Sequence, residues 1–182
     1  MKCLTEGEVN VWLQERGIPK SPYSGEIAPK YYFQFYAPSE YRTTDAFLRL
    51  YYSRILSEDE SLIDVTDWSL YLPSEMTAID GIQRLSSERR RLIEASGHWL
   101  TAEEAETGIS LFSLTAAFMW KSYLYSKSDR TTLYNWEGQI FDFWTDSKKV
   151  LTELRLLVAK FDLSETKKGE QSVPPKSDRV GG

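Results

Sequence analysis

Apolar residues recur at intervals of three and four along much of the chain, a spacing typical of helices with one buried face. Thr5 and Glu8 form a capping-box pattern, which predicts that a first helix covers 6–16. The same spacing predicts four further helices: over 44–56, from Pro73 onward, over 101–120, and after Thr145. In the helix that begins at Pro73, the residues predicted on the buried face are Met76, Ile79, Ile82 and Leu85.

Short runs rich in aromatic and β-branched residues lie between these segments and predict strands. The clearest runs are 31–36, 131–134 and 139–144, and the last two flank a turn that ends at Gly138. Weaker runs are 62–65, 68–72, 92–95 and 123–125. We therefore expect an α+β fold, with a single mixed or antiparallel sheet packed against several helices and a C-terminal β-meander followed by a closing helix. A doubly wound parallel sheet is the alternative for the first two-thirds.

The distribution of apolar residues also predicts the domain organisation. Hydrophobic residues make up 41% of the 182-residue chain, and they predict a single globular domain over 1–163. Residues 164–182 contain two prolines and three glycines with few apolar side chains, which predicts a flexible tail. Its final Gly181 and Gly182 resemble the end of ubiquitin-like modifiers, a likeness that covers two residues.

Composition narrows the classes of partner and chemistry. A net charge of −5 disfavours nucleic acid, because neutralising phosphates requires clustered Lys and Arg. One cysteine and one histidine are too few for a zinc-type metal site, and no glycine-rich phosphate-binding motif indicates a cofactor. The apolar run 109–120 is too short to cross a bilayer, and the N-terminus lacks a signal-peptide pattern. We expect a soluble, cytoplasmic protein without cofactor, metal or membrane contact.

The candidates for catalysis are His98 and two pairs of carboxylates. His98 is the only side chain whose ordinary pKa lies near neutrality, and we expect it in a loop before the 101–120 helix. Asp64 with Asp67, and Asp142 with Asp146, could serve as acid and base in a hydrolase. Because Asp142 alternates with two phenylalanines, we expect it instead on a solvated strand face.

Binding is favoured over catalysis by the aromatic content. Six Trp and eleven Tyr exceed what a core of this size readily hides, and exposed Trp and Tyr are typical of protein interfaces. The acidic character and the terminal strand–turn–strand–helix order loosely resemble bacterial immunity proteins, although no motif of those proteins matches residue by residue.

We therefore expect a non-catalytic binding module, an inhibitor, immunity-type neutraliser or adaptor, whose partner is a protein with a basic surface. A metal-independent hydrolase that uses carboxylates and His98, and a structural subunit of a larger assembly, are the alternatives. The expected binding surface combines acids and rings: Asp64, Asp67, Trp68, Trp136 and Glu137.

Overall fold

The computed structural model describes residues 1–24, 28–57, 59–68 and 72–166. Within these ranges, seven strands form one antiparallel sheet in the order β1-β4-β3-β5-β6-β7-β2, and the chain also forms five α-helices. This architecture confirms the predicted α+β fold and the terminal strand series followed by a helix. The strands are β1 (Lys2–Leu4), β2 (Tyr31–Tyr36), β3 (Ser61–Asp67), β4 (Gly97–Leu100), β5 (Lys121–Ser126), β6 (Thr131–Trp136) and β7 (Ile140–Thr145). The helices are α1 (Glu6–Glu15), α2 (Tyr41–Tyr51), α3 (Pro73–Leu85), α4 (Ala105–Ala117) and α5 (Lys148–Lys160).

The first and last helices begin at side-chain caps. The hydroxyl of Thr5 accepts a hydrogen bond from the N–H of Glu8 (3.3 Å), and the Glu8 carboxylate accepts one from the N–H of Thr5 (2.7 Å), as the capping-box pattern predicts. Helix α5 begins two residues later than predicted. Its cap is Ser147, whose hydroxyl accepts from the N–H of Val150, whereas Thr145 is the last residue of β7.

The core lies on one side of the sheet, which we call the core face, where α2, α4 and α5 pack. Phe35, Phe141 and Phe143 project from the β2 and β7 strands into this core and have essentially no exposed surface. Leu154 of α5 is buried among the same residues, as its position in the predicted helical stripe requires. Much of the aromatic content therefore fills the core.

The opposite face of the sheet is covered only in part by a helix. Val9, Trp12 and Leu13 of α1 pack there in a second apolar cluster, with Leu62 of β3 and Tyr125 of β5. Helix α1 contacts β1 and β4, at one end of the sheet. At the other end of the sheet, the face formed by β6, β7 and β2 is covered in part by the 3₁₀ turn Pro22–Ser24, whose Tyr23 packs on Tyr134 and Trp144.

Several local predictions are wrong. His98 belongs to strand β4 and not to a loop, and Leu92–Glu94 is a 3₁₀ turn and not a strand. The buried residues of α3 are Glu75, Ile79 and Gln83, a face rotated from the predicted one, so that two residues expected in the core are exposed. These two residues are Met76 and Leu85, which are 48% and 86% exposed.

Strand β2 is the last strand of the sheet, and its outer edge is partly covered by residues 164–166. The N–H of Tyr36 donates to the carbonyl of Ser164 (3.0 Å), and the N–H of Thr166 donates to the carbonyl of Gln34 (3.2 Å). The first residues of the predicted tail thus pair with the sheet, while 167–182, with the Gly-Gly pair, lie outside the described residues. No helix in the described part of the chain is long and apolar enough to cross a bilayer.

Candidate protein-binding face

Strand register places polar and aromatic side chains in rows on the face opposite the core. Residues directly opposite each other in neighbouring strands project to the same side of a sheet. Tyr36 and Trp136 both pair with Ile140, and the three form one row across β2, β7 and β6. In the next row Asp142 pairs with Gln34 and Tyr134, and in the third Trp144 pairs with Tyr32 and Thr132. Tyr23 from the loop after α1 joins them, and we call the following set the tyrosine face: Tyr23, Tyr32, Gln34, Tyr36, Trp136, Ile140 and Asp142.

Asp142 is the buried centre of this face. Its carboxylate accepts hydrogen bonds from the hydroxyls of Tyr23 (2.5 Å) and Tyr32 (2.6 Å) and from the side-chain amide of Gln34 (2.7 Å). Asp142 has no exposed surface, so the expectation of a solvated strand face is wrong for this residue. The ring of Tyr23 packs edge-to-face on Trp144 with centroids 4.9 Å apart, and the phenol therefore covers the carboxylate from above.

The two phenols that bind Asp142 are fixed donors. Burial raises the pKa of both Tyr23 and Tyr32 far above the ordinary value, and the charge of Asp142 raises it further. Both hydroxyls therefore keep their protons at any physiological pH. The rings of Tyr23, Tyr32 and Tyr36 are 40–42% exposed, so each presents a large surface to solvent. The carboxylate thus holds two half-exposed rings in one orientation.

Three of the five predicted binding residues meet at one end of the tyrosine face. Lys121 Nζ lies 3.1 Å from Asp67 Oδ2 and 3.1 Å from Glu137 Oε1 and bridges the two acids. Trp136 precedes Glu137 in the hairpin and lies in the row of Tyr36. This end of the face therefore carries two carboxylates for one ammonium group.

The other two predicted residues lie elsewhere. Asp64 is 4% exposed beneath the surface, opposite Tyr123 in the β3–β5 pair, and burial raises the pKa of its carboxyl. Trp68 is partly buried and packs against the core, where its ring meets Trp120 edge-to-face with centroids 5.1 Å apart. Neither side chain adjoins the bridge around Lys121 as an exposed group.

The only histidine is enclosed between the sheet and α3. His98 has no exposed surface, and Gln83 Nε2 of α3 lies 3.4 Å from its Nε2 atom. Burial lowers the pKa of the imidazole to about 4, which keeps it neutral at physiological pH. A substrate has no path to this ring in the structure.

Sequence reasoning missed most of the tyrosine face. In β2, Tyr32, Gln34 and Tyr36 alternate with Phe33 and Phe35, and this alternation indicates that the two sets lie on opposite faces of the sheet. Tyr23 carried no signal, because it reaches Asp142 across 119 residues of sequence.

In 1–24, 28–57, 59–68 and 72–166, no three His, Cys, Asp or Glu side chains come together as a group that could hold a metal ion. Comparison of the chain with protein families, curated proteins and solved structures found no match.

Proposed function

We propose that the protein is a non-catalytic binding module that acts in the cytoplasm as an inhibitor, immunity-type neutraliser or adaptor. Its partner is a protein with a basic surface, and the tyrosine face is the contact. The observation that supports this most is the buried Asp142 carboxylate, which holds two half-exposed tyrosines by short hydrogen bonds. Rings that are fixed before binding lose little side-chain entropy when a partner packs on them.

The chemistry of the face is that of an interface centre. Tyrosine offers a broad apolar ring together with a hydroxyl, and such residues dominate the binding energy of many complexes. Tyr36, Ile140 and Trp136 extend the patch across three strands beside the two tyrosines held by Asp142. A flat aromatic surface of this kind suits a protein better than a small substrate, which usually requires a deep cleft.

The charge pattern of the face indicates the charge of the partner's surface. Asp67 and Glu137 flank the face with one intervening cation, Lys121, and the chain carries a net charge of −5. An acidic rim steers a basic partner during diffusion and raises the association rate at low salt. We therefore assign the aromatic centre to affinity and the acidic rim to steering.

The hydrolase alternative gains no support from the positions of its candidate groups. His98 is enclosed and neutral, and Asp142 already accepts three hydrogen bonds, so neither is placed to act on a substrate. A structural subunit would use the same face in a permanent contact. The lifetime of the complex distinguishes this alternative from a reversible inhibitor or adaptor.

The face is tested by affinity enrichment from the native host with three forms of the protein. The first is wild type, the second carries Tyr32→Ala and Tyr36→Ala, and the third carries Leu85→Ala and Leu156→Ala as a control with exposed apolar residues elsewhere. We expect a protein that co-purifies with wild type and control and is lost from the face variant, with the melting temperature of each form measured in parallel. Equal recovery by all three folded forms would refute the assignment.

Steering is tested separately with the identified partner and two matched substitutions. Asp67→Asn removes a charge from the rim, whereas Asp64→Asn removes one from a buried site. We expect Asp67→Asn to slow association at low salt, with an effect that shrinks as salt is added, and Asp64→Asn to change the rate less. Equal effects of the two substitutions would contradict the acidic rim as the steering element.

A further inference from the structure

The C-terminal segment 167–182 is tethered at the edge of the tyrosine face. Residues 164–166, which precede it, run antiparallel to the outer edge of β2. Thr166 is bonded twice to Gln34: its N–H donates to the Gln34 carbonyl (3.2 Å), and its hydroxyl donates to Gln34 Oε1 (2.5 Å). Gln34 belongs to the tyrosine face and donates its side-chain amide to the buried Asp142 carboxylate. The segment is therefore attached beside the centre of that face.

The face to which the segment is attached exposes large rings. Tyr23, Tyr32 and Tyr36 are each 40–42% exposed, whereas α1 covers the same side of the sheet at β1 and β4. An exposed patch of this kind is typical of a place where another segment or molecule binds. Asp67 and Glu137 lie at one end of it, so a fitting occupant combines apolar groups with positive charge.

The sequence of the C-terminal segment has both properties. Residues 167–182 contain four cations and two acids, and in the middle Val173 precedes two consecutive prolines that are followed by Lys176 and Arg179. Consecutive prolines favour the extended polyproline II conformation, and such segments bind to surfaces lined by aromatic rings. Because the φ angle of proline is already fixed, little entropy is lost on binding. The segment therefore matches the rings and the charge of the face.

The segment is also long enough to cross the face. Asp67 lies on β3, which is four strand positions from β2, and at about 4.8 Å per strand this separation is about 20 Å. Lys176 follows Thr166 by ten residues, which can span at most about 35 Å. The cations of the segment can therefore reach the acidic end of the face while its prolines lie over the rings.

We propose that residues 173–179 bind across the tyrosine face of their own chain and cover the surface assigned to the partner. The prolines pack on the exposed rings of Tyr32 and Tyr36, and the Lys and Arg side chains pair with Asp67 and Glu137. A partner with a basic surface has to displace this segment before it can bind. That regulatory consequence rests on the proposed function, whereas the contact itself forms in the isolated chain.

The tether allows a weak contact to be populated. A linker of this length sets a local concentration on the order of 1 mM. If the separated peptide bound with a dissociation constant of about 0.5 mM, the segment would cover the face about two-thirds of the time and weaken the partner about threefold. A contact this weak opens below the temperature at which the fold melts, so its loss leaves the melting temperature unchanged.

The contact is tested in the full chain without a partner, by attaching a nitroxide spin label at position 177. Ser177→Cys supplies the attachment site, and the buried Cys3 is replaced by alanine in every form. The label broadens the amide signals of the residues that it approaches in two-dimensional NMR spectra. We expect the signals of Tyr36 and Trp136 to lose about half of their intensity or more, whereas Leu156 of α5, on the opposite side of the sheet, keeps its intensity.

Two labelled variants separate a specific contact from the proximity that any tether imposes. Lys176→Glu with Arg179→Glu keeps the length of the tether and reverses its charge, and Trp136 should recover most of its intensity. Lys148→Glu with Lys149→Glu changes the same number of charges on α5 and should leave the broadening as it is in the natural chain. Broadening at Trp136 that is absent, or equal in the natural and the reversed segment, would overturn the proposal while leaving the protein contact of the face standing.

Discussion

The enclosed imidazole of His98 should make the fold sensitive to mild acid. In the unfolded chain His98 takes up a proton near pH 6.5, whereas in the folded protein burial lowers its pKa to about 4. The unfolded state therefore binds more protons between these values, and the free energy of unfolding falls as the pH decreases from 6.5 toward 4. The full difference between the two pKa values of His98 corresponds to about 3 kcal/mol in the free energy of unfolding, and about 2 kcal/mol of this is lost by pH 5.

Urea unfolding at pH 7.5 and pH 5.0, followed by tryptophan fluorescence, measures this loss. The control is His98→Gln, because glutamine at position 98 does not titrate between pH 5.0 and pH 7.5. For each protein, the free energy of unfolding at pH 5.0 is compared with its own value at pH 7.5. Most carboxylates remain ionised at pH 5, so they add little in either protein. We expect wild type to lose about 2 kcal/mol more than the variant. Equal losses in the two proteins would show that the imidazole is not excluded from solvent, and the reasoning would fail.

Four other predictions follow from single positions. Leu154→Asp places a carboxylate where the side chain has no exposed surface, and the cooperative thermal transition should be lost in calorimetry. Asp64→Asn should raise the free energy of unfolding at pH 7, because burial disfavours the charged carboxylate and raises its pKa. Denaturant titrations at several pH values should show this gain disappear as the pH falls through that raised pKa. Gly138→Ala, at a φ of 69° and with its Cβ 2.2 Å from the carbonyl oxygen of Ala116, should lower the free energy of unfolding in urea titrations by about 2–4 kcal/mol, whereas the control Gly81→Ala, at a helical glycine with open space around it, should not lower it. Removing 167–182 should leave the melting temperature unchanged, whereas ending the chain at Leu163 should lower it, because two main-chain bonds to β2 are lost.

Elements with strong local patterns could be predicted from the sequence. The capping box at Thr5 and the stripe of α5 place two helices within two residues of their observed starts. The hairpin around Gly138 was also clear, because aromatic runs flank a glycine that adopts a positive φ. In each case the determining interactions lie within a few residues of one another.

Strands β1 and β4 could not be found in this way. Gly97 and His98 have little strand preference, and β4 forms because β1 and β3 pair with it on both sides. A side chain at position 97 would also collide with Val9 of α1, whose Cγ2 atom lies 2.2 Å from where the Cβ would be. The glycine that weakens the strand signal is what lets α1 approach the sheet.

The site was only partly predictable for the same reason. Trp136 and Glu137 were proposed from their position at a hairpin tip and Asp67 from its charge, and the structure brings the three close together around Lys121, whereas their role stays a prediction. The burial of Asp142 depends on Tyr23, which comes from a loop that no pattern marked. Strand periodicity shows that Asp142 lies on the face opposite the phenylalanines. Whether its carboxylate is solvated or enclosed depends on a side chain from a distant loop, and the strand sequence does not encode that contact.

The pairing of residues 164–166 with β2 has a consequence for self-association. An open sheet edge offers unpaired main-chain groups to which a second strand can add, and this route leads to aggregation. Here the chain occupies two of those groups on β2 with its own backbone, and the opposite outer strand, β1, is three residues long. The edge of β2 is thus partly closed to an incoming strand and the edge of β1 is short, so we expect the proposed contact to use side chains rather than strand addition.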